Sequence, residues 1–392
     1  MATNRHGLQE RIEARIRENL LDLVDSKQWN IYRGRFVNAV QARAEELLGV
    51  PCLTTNAGTA ALELGLRAHG IGPGDDVVIP SSTFVATAQA VLLTGARPVL
   101  CDVDDTTFNP EPEHVRAVLT PDTRAVIFVH TFGNPSGAGR VAQFCTERGL
   151  LLLEDAAQAL GARLGTRAVG SLGDGAAFSF NTSKPLSCGD GGMFTTGDPR
   201  VHERAKAIRH AGLREVPDGR FLAHEIGGKS LLTEFQAAVL EPQFEAFEEL
   251  AQIRTQTALL LREHLPRVSP HARLQHIDHD ALSAWQRVAV TLDTPERAEQ
   301  VLAEHPWLER FYIAALVDEP VVARHALYTE EIAHRCRDLW GRLVGVTLWP
   351  FQDLDELILQ ATNLTERQDK ATVMPELPEP SEPPGPVNGG RR

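Results

Sequence analysis

Five cysteines, Cys52, Cys101, Cys145, Cys188 and Cys336, are spread along the chain with no CxxC pair among them. The odd count and the spacing argue against a disulfide framework and predict a reduced, cytoplasmic protein. Fourteen histidines form no HExxH motif and no Cys/His cluster, so no metal centre is expected. No apolar run reaches membrane-spanning length, and the start of the chain is charged and polar rather than a signal peptide. Positive charge is the minority sign: 39 Lys and Arg stand against 52 Asp and Glu, a formal charge of −13. That balance disfavours nucleic acid or an anionic membrane as a partner, while leaving room for an anionic small molecule at a local cluster.

What is present is an ordinary globular composition, 43% hydrophobic and 23% charged over 392 residues, enough for two domains and a large core. Residues 7–25 place Leu8, Ile12, Ile16, Leu20, Leu21 and Val24 at helical spacing, which predicts an amphipathic helix. A loop over 29–36 leads to a second helix over 37–48. From there short apolar runs and helical stretches alternate: strands over 52–55, 77–80, 97–102, 125–130 and 150–153, with helices over 60–66, 112–119 and 141–148 between them. Alternation of this length predicts a mainly parallel sheet with helices on both faces.

The chemistry concentrates between residues 150 and 192. The strand at 150–153 ends in two carboxylates, Glu154 and Asp155. A further strand, 178–180, leads through Asn181, Thr182 and Ser183 to Lys184, which is followed by Gly189, Asp190, Gly191 and Gly192. A carboxylate at one strand end and a lysine just past another fit pyridoxal 5′-phosphate (PLP), which needs an amine for its aldehyde and an anion facing its ring nitrogen. Lysine is the one residue that can hold the aldehyde and, once displaced, carry a proton at the reacting carbon. Strand alternation points Glu154 and Asp155 to opposite faces, so only one can meet the ring. Upstream, Gly58 and Thr59 stand where strand 52–55 turns into a helix, a geometry that aims free N–H groups at an anion such as a phosphate. A simple helix cap is the competing reading there.

At these residues the chain resembles the DegT/DnrJ/EryC1/StrS (sugar) aminotransferases, continuously over about 29–243 and weakly beyond. The resemblance implies the PLP-dependent aspartate aminotransferase fold (fold type I): a three-layer α/β/α large domain with a mainly parallel sheet, and a smaller C-terminal α/β domain. It selects Asp155 over Glu154 through the E-D-A-A-Q pattern at residues 154–158. It also implies Gln158 beside the cofactor's 3-oxygen, Ser179, Gly58 and Thr59 at the phosphate, Phe84 over the ring and Lys184 as the anchor. The loop at 29–36 and His130 fall near the site by the same likeness, with no catalytic role assigned to His130.

The family pattern breaks at residues 225–238. Aligned on Thr233–Ala238, Lys229 replaces an asparagine that reaches the neighbouring subunit's phosphate, and Leu231 replaces an arginine that helps to bind the amino donor. Residues 236–265 read as one long helix, 284–292 and 308–315 as strands flanking a helix over 295–304, 344–350 as a late strand and 353–366 as a last helix. Where the family carries a His-Tyr-Pro loop, residues 314–328 differ. Residues 371–392 hold six prolines in 22 residues and read as a disordered tail.

The expected division is a PLP-binding domain over 1–243, a small domain over 244–370 and the tail. The resemblance implies a homodimer with a shared active site. It also implies amino transfer from L-glutamate or L-glutamine to a keto-sugar, nucleotide-linked, or a keto-cyclitol in natural-product biosynthesis. Elimination, cyclisation or aromatisation on the same cofactor, or a non-catalytic sensor or partner role, are the alternatives.

Overall fold

A computed structural model describes residues 2–29, 34–349 and 356–364. In chain order, β1 (Cys52–Thr55), β2 (Asp76–Pro80), β3 (Arg97–Cys101), β4 (Thr123–Val129) and β5 (Leu151–Asp155) come first. A two-rung hairpin, β6 (Arg163–Leu164) and β7 (Arg167–Ala168), precedes β8 (Gly175–Ser179) and β9 (Gly192–Thr195). The large sheet has the order β1-β9-β8-β5-β4-β2-β3, parallel throughout except for β9, which is antiparallel to both neighbours. The exception has a local cause. Between β8 and β9 the chain forms a compact loop instead of a crossover helix, and a direct return produces an antiparallel partner.

The strands are apolar on both sides because both sides are covered. Val126 and Phe128 of β4 join one core with Val78, Leu152 and Met193, whereas Ala125, Ile127 and Val129 join the other with Val77, Leu153 and Phe194. This is the three-layer α/β/α arrangement that the alternation of elements predicts.

The N-terminal helix, α1 (Ala2–Ser26), buries Leu8, Ile12 and Leu23 but leaves Leu21 and Val24 exposed. It is tied down by Asn19. The helix Glu234–Glu245 contains Pro242, which has no N–H to give to the Ala238 carbonyl one turn back; Asn19 Nδ2 donates there at 3.2 Å instead. The next helix, α2 (Arg35–Leu48), has Gly34 as its N-cap and no side-chain cap of its own. Buried Glu234 supplies the acceptor, taking hydrogen bonds from Phe36 N–H (3.0 Å) and Val37 N–H (2.9 Å). Two further helices matter for the site: α3 (Gly58–Ala68) and α4 (Val85–Leu93).

Past the large sheet, β10 (Leu213–Glu215) and β11 (Phe221–Ala223) make an exposed hairpin. The C-terminal part centres on an antiparallel sheet of β12 (Arg273–Leu274), β14 (Arg287–Thr291) and β15 (Leu343–Thr347). Between them, β13 (Ala281–Leu282) crosses back to pair with β6. Val288, Val290, Val344 and Val346 pack on Ala258, Leu261, Ala298 and Val301 to form a separate apolar core. The smaller α/β unit is thus present. Val322, Ile332, Ala333 and Cys336, later still in the chain, nonetheless belong to the core under the large sheet.

Three local expectations are corrected. The helix predicted over 236–265 is two, Glu234–Glu245 and Phe247–His264, joined at Ala246 (φ −93°, ψ 12°). The strand predicted from 284 begins only at Arg287, because Trp285 takes a left-handed φ of 54°. Residues 308–315 are not a strand: the chain makes a single bridge, Glu309 to Gly345, and turns at Tyr312 (φ 64°). Part of the loop at 29–36, both ends of the helix predicted over 353–366 and all of the tail lie outside the described residues.

Candidate functional site

The parallel strands β1, β2, β4, β5 and β8 all end at one edge of the large sheet, the edge where open α/β sheets bind ligands. Each candidate residue except Lys229 lies at, or a few residues beyond, one of these ends. The pleat separates the two carboxylates of β5. Glu154 is buried and accepts from His130 Nε2 (2.9 Å), Gly170 N–H (3.0 Å), Leu172 N–H (2.7 Å) and Gly173 N–H (3.0 Å). Four donors leave Glu154 no capacity for another partner, and they make it a fastener for residues 170–173. His130 is the buried partner of this carboxylate. Replacing Glu154 with Gln turns one acceptor into a donor aimed at N–H groups. Urea denaturation should show a loss of about 3 kcal/mol, with the activity of the remaining folded protein unchanged.

Asp155 faces the other way and is partly open. Thr87 of α4 donates to Asp155 Oδ2 at 2.7 Å and is itself paired with Thr83 at 3.0 Å; Ala157 N–H reaches Oδ1 at 3.2 Å. The carboxylate is therefore oriented while keeping an accessible side. Lys184 lies in the loop between β8 and β9. That loop is closed by Lys184 N–H to Asn181 O (3.0 Å) and Cys188 N–H to Phe180 O (3.0 Å). It is pinned from outside by Gln286 Nε2 on Ser183 O (2.7 Å) and Arg254 Nη1 on Pro185 O (3.2 Å). Burial and, next, the charge of Arg287 lower the Lys184 ammonium to a pKa of about 8, against an opposing pull from Asp155. At pH 7 about a tenth of the amine is then neutral and nucleophilic, against roughly one part in a few thousand for a free lysine. The charge of Asp155 acts on Lys184; Asp155 ends β5, and Lys184 follows the end of its neighbour β8.

The anion cradle is built at the start of α3. Its N-cap, Ala57, offers no side-chain acceptor, and the first intrahelical bond is made by Ala61 N–H, so the N–H groups of Gly58, Thr59 and Ala60 have no helix partner. Gly58 presses against the end of β8: a Cβ there would stand 2.7 Å from Ser179 Cβ, so only glycine brings the helix start and Ser179 together. Ser179 Oγ accepts from Asn181 N–H at 3.3 Å, which leaves its own O–H to donate. These donors suit a phosphate, and the capacities at Lys184 and Asp155 suit an amine-seeking aldehyde on a basic ring. The residues present fit PLP.

Phe84, the N-cap residue of α4, has an exposed ring whose centroid lies 6.0 Å from that of Tyr312. Gln158 is buried; its Oε1 accepts from Phe132 N–H (2.9 Å) and its Nε2 faces Tyr312 Oη at 3.4 Å. Lys229 stands apart from this group. It bridges to His210, and the adjoining Ser230 carbonyl accepts from Asn56 N–H at 3.2 Å, so its backbone is fixed near β1 while its side chain is exposed at the rim. Thr87, Arg287 and Tyr312 escaped sequence reasoning. Burial raises the Tyr312 hydroxyl above its usual range, so it stays protonated at neutral pH.

The family model of the DegT/DnrJ/EryC1/StrS aminotransferase family matches residues 10–343. The chain belongs to this family. As a DegT/DnrJ/EryC1/StrS protein it has the PLP-dependent fold of type I aminotransferases. It is 46% identical over 161 residues to dTDP-4-dehydro-2,3,6-trideoxy-D-glucose 4-aminotransferase of Saccharopolyspora spinosa, a match covering 41% of this chain and 42% of that protein. It is 34% identical over 268 residues to GDP-perosamine synthase of Caulobacter vibrioides, covering 68% and 71%. The sequence matches therefore span less than half of the first of these relatives and about two thirds of the second. In structure the chain is similar to 3-amino-5-hydroxybenzoic acid synthase, with a TM-score of 0.82 at 27% identity, covering 91% of this chain and 97% of that one. Among the described residues, no helix is long and apolar enough to cross a membrane, and no group of three or more His, Cys, Asp and Glu could hold a metal ion.

Proposed function

We propose that this chain is a PLP-dependent aminotransferase that moves an amino group from L-glutamate or L-glutamine to the ketone of a nucleotide-linked keto-sugar or a keto-cyclitol. What supports the reading is the place of Lys184 and an oriented Asp155 at the ends of the neighbouring strands β8 and β5, with the charge of Asp155 acting on Lys184. PLP, when bound, supplies an aldehyde that takes up amines and an electron-poor ring that accepts the electron pair left at the substrate carbon. Gly58, Thr59 and Ser179 would hold its phosphate, and Lys184 its aldehyde carbon. Asp155, steadied by Thr87, would hold a proton on the ring nitrogen. Phe84 would cover one ring face and exclude water, and Gln158 Nε2 would donate to the ring oxygen. Lys184 Nζ, when free, would take the proton from the carbon that bears the donor amine and hold it for return. Lys229 would reach the phosphate of a second copy in a homodimer.

The test is spectroscopic. PLP added to the purified protein should produce a visible band that bleaches with L-glutamate or L-glutamine and returns when an acceptor ketone is supplied. A protein that develops no band would end this reading. Aromatisation on the same site is a second reading, favoured by the likeness to 3-amino-5-hydroxybenzoate synthase of Amycolatopsis mediterranei, 36% identical over 249 residues. An aromatic product in the mass spectrum, in place of an amino-sugar, decides for it.

A further inference from the structure

Arg287 opens β14. The cation lies over three rings, with Cζ 4.5 Å from the Phe311 centroid, 5.4 Å from Tyr312 and 5.6 Å from Phe132. Its Nε donates to Thr347 Oγ1 at 3.1 Å; Thr347 in turn donates to Glu309, whose carboxylate also accepts Thr347 N–H at 3.0 Å. The head group is thus fixed by stacking and by one hydrogen bond. Its Nη1, however, is buried and has no acceptor among the described residues, and no carboxylate among them forms an ion pair with it. A buried, unpaired guanidinium N–H is costly unless something fills the gap in the working state.

Its surroundings say what would fill it. Tyr312 links Arg287 to Phe84, the residue proposed to cover the cofactor ring. The Arg287 charge is felt at Lys184, where it opposes protonation. The segments carrying the two cations are joined by the 2.7 Å bond from Gln286 Nε2 to Ser183 O; like charges so placed repel, and the arrangement becomes favourable when an anion enters between them. The other groups of the site have partners in the proposed reading: the cradle at Gly58, Thr59 and Ser179 suits a phosphate, and Asp155 would face the ring nitrogen. Leu231 has no charge to offer a carboxylate.

We infer that Arg287 is a specificity-determining residue that binds a substrate carboxylate beside Lys184, with the stacked Phe311, Tyr312 and Phe132 rings holding its fork in place. The inference rests on the aminotransferase reading. A planar carboxylate is the ligand that two N–H groups of one guanidinium bind best. The carboxylate can belong to the amino donor or to an acid group on the acceptor.

The test compares the wild-type chain with Arg287→Met and Arg287→Lys. In the apoprotein, the rate of PLP uptake against pH should inflect at about 8. Arg287→Met removes a charge that disfavours the Lys184 ammonium, so its inflection should move up; Asp155, the other charged group that acts on Lys184, is unchanged. Arg287→Lys should stay near the wild-type value. In the PLP-loaded protein, Arg287→Met should bind L-glutamine ~10- to 100-fold more weakly, with binding of 4-aminobutanamide, the same amine without the α-carboxylate, unaffected. A selective loss for L-glutamine assigns the carboxylate to the donor. A loss confined to a keto-uronate, with its uncharged keto-hexose counterpart unaffected, assigns it to the acceptor. Arg287→Lys should lose part of the same affinity, since an ammonium lacks the fork, and it serves as the second variant if Arg287→Met melts early. Unchanged binding of both carboxylates in the variants, or an inflection that does not move in Arg287→Met, overturns the inference. A wild-type protein that takes up no PLP at any pH sinks the functional reading instead.

Discussion

Lys184→Ala should lower amino transfer by at least ~10⁴-fold and abolish the visible band of the bound cofactor, while leaving the fold intact. Two losses combine in this one change. The side chain is the proposed attachment point, and the same Nζ is the base proposed to move the proton at the substrate carbon. Its backbone does little that alanine cannot do, because the loop bond from residue 184 N–H to Asn181 O and the pins on Ser183 and Pro185 are made by main-chain atoms. The prediction therefore separates chemistry from stability. Thermal melting of the apoprotein should move little, and an added small amine should restore part of the activity by entering the space left behind. A mutant that keeps the band, or loses activity only because it unfolds, would contradict the assignment.

Asp155→Ala should reduce kcat by ~10²- to 10³-fold, the scale on which a pre-oriented charge at a reacting ring acts. The aspartate is held by Thr87 at 2.7 Å and by Ala157 N–H at 3.2 Å, so its direction is set before any ligand arrives. Asp155→Asn keeps the shape and removes the charge, and it carries a second, signed consequence. Asp155 raises the Lys184 pKa against burial and Arg287, so neutralising it should shift the inflection of PLP uptake below about 8. The opposite shift expected for Arg287→Met makes the two substitutions a matched pair, read out on the same curve. Asp155→Asn with wild-type kcat would show that the carboxylate does not face the ring.

The strand-end residues of the site were legible in the sequence and those from the C-terminal part were not, for a physical reason. Asp155, Ser179, Gly58 and Lys184 sit at the ends of strands whose apolar runs are easy to see, and the period of two separates Glu154 from Asp155 before any coordinates are known. The structure bears that separation out: the four donors on Glu154 occupy one face and Thr87 meets Asp155 on the other. Arg287 and Tyr312 come from segments far along the chain, and their placement depends on backbone turns with no local signature. Tyr312 has a φ of 64° and Trp285, two residues before Arg287, a φ of 54°, conformations that residues of these types rarely adopt. Residues 308–315 carry apolar side chains at strand-like spacing, but Glu309 is spent on Thr347 and the chain departs after one bridge. The division of the helix at Ala246 is equally silent in the pattern. Apolar residues continue on both sides of the break, and the proline that weakens the first helix is compensated by Asn19, more than two hundred residues away.

The most direct measurement is chemical. Borohydride reduction of the PLP-loaded protein, followed by protease digestion and mass spectrometry, fixes the cofactor to whichever amine holds it. The account predicts a phosphopyridoxyl increment on the peptide that contains Lys184 and on no other; the increment on a different lysine, or its absence from a protein that shows the visible band, would contradict it.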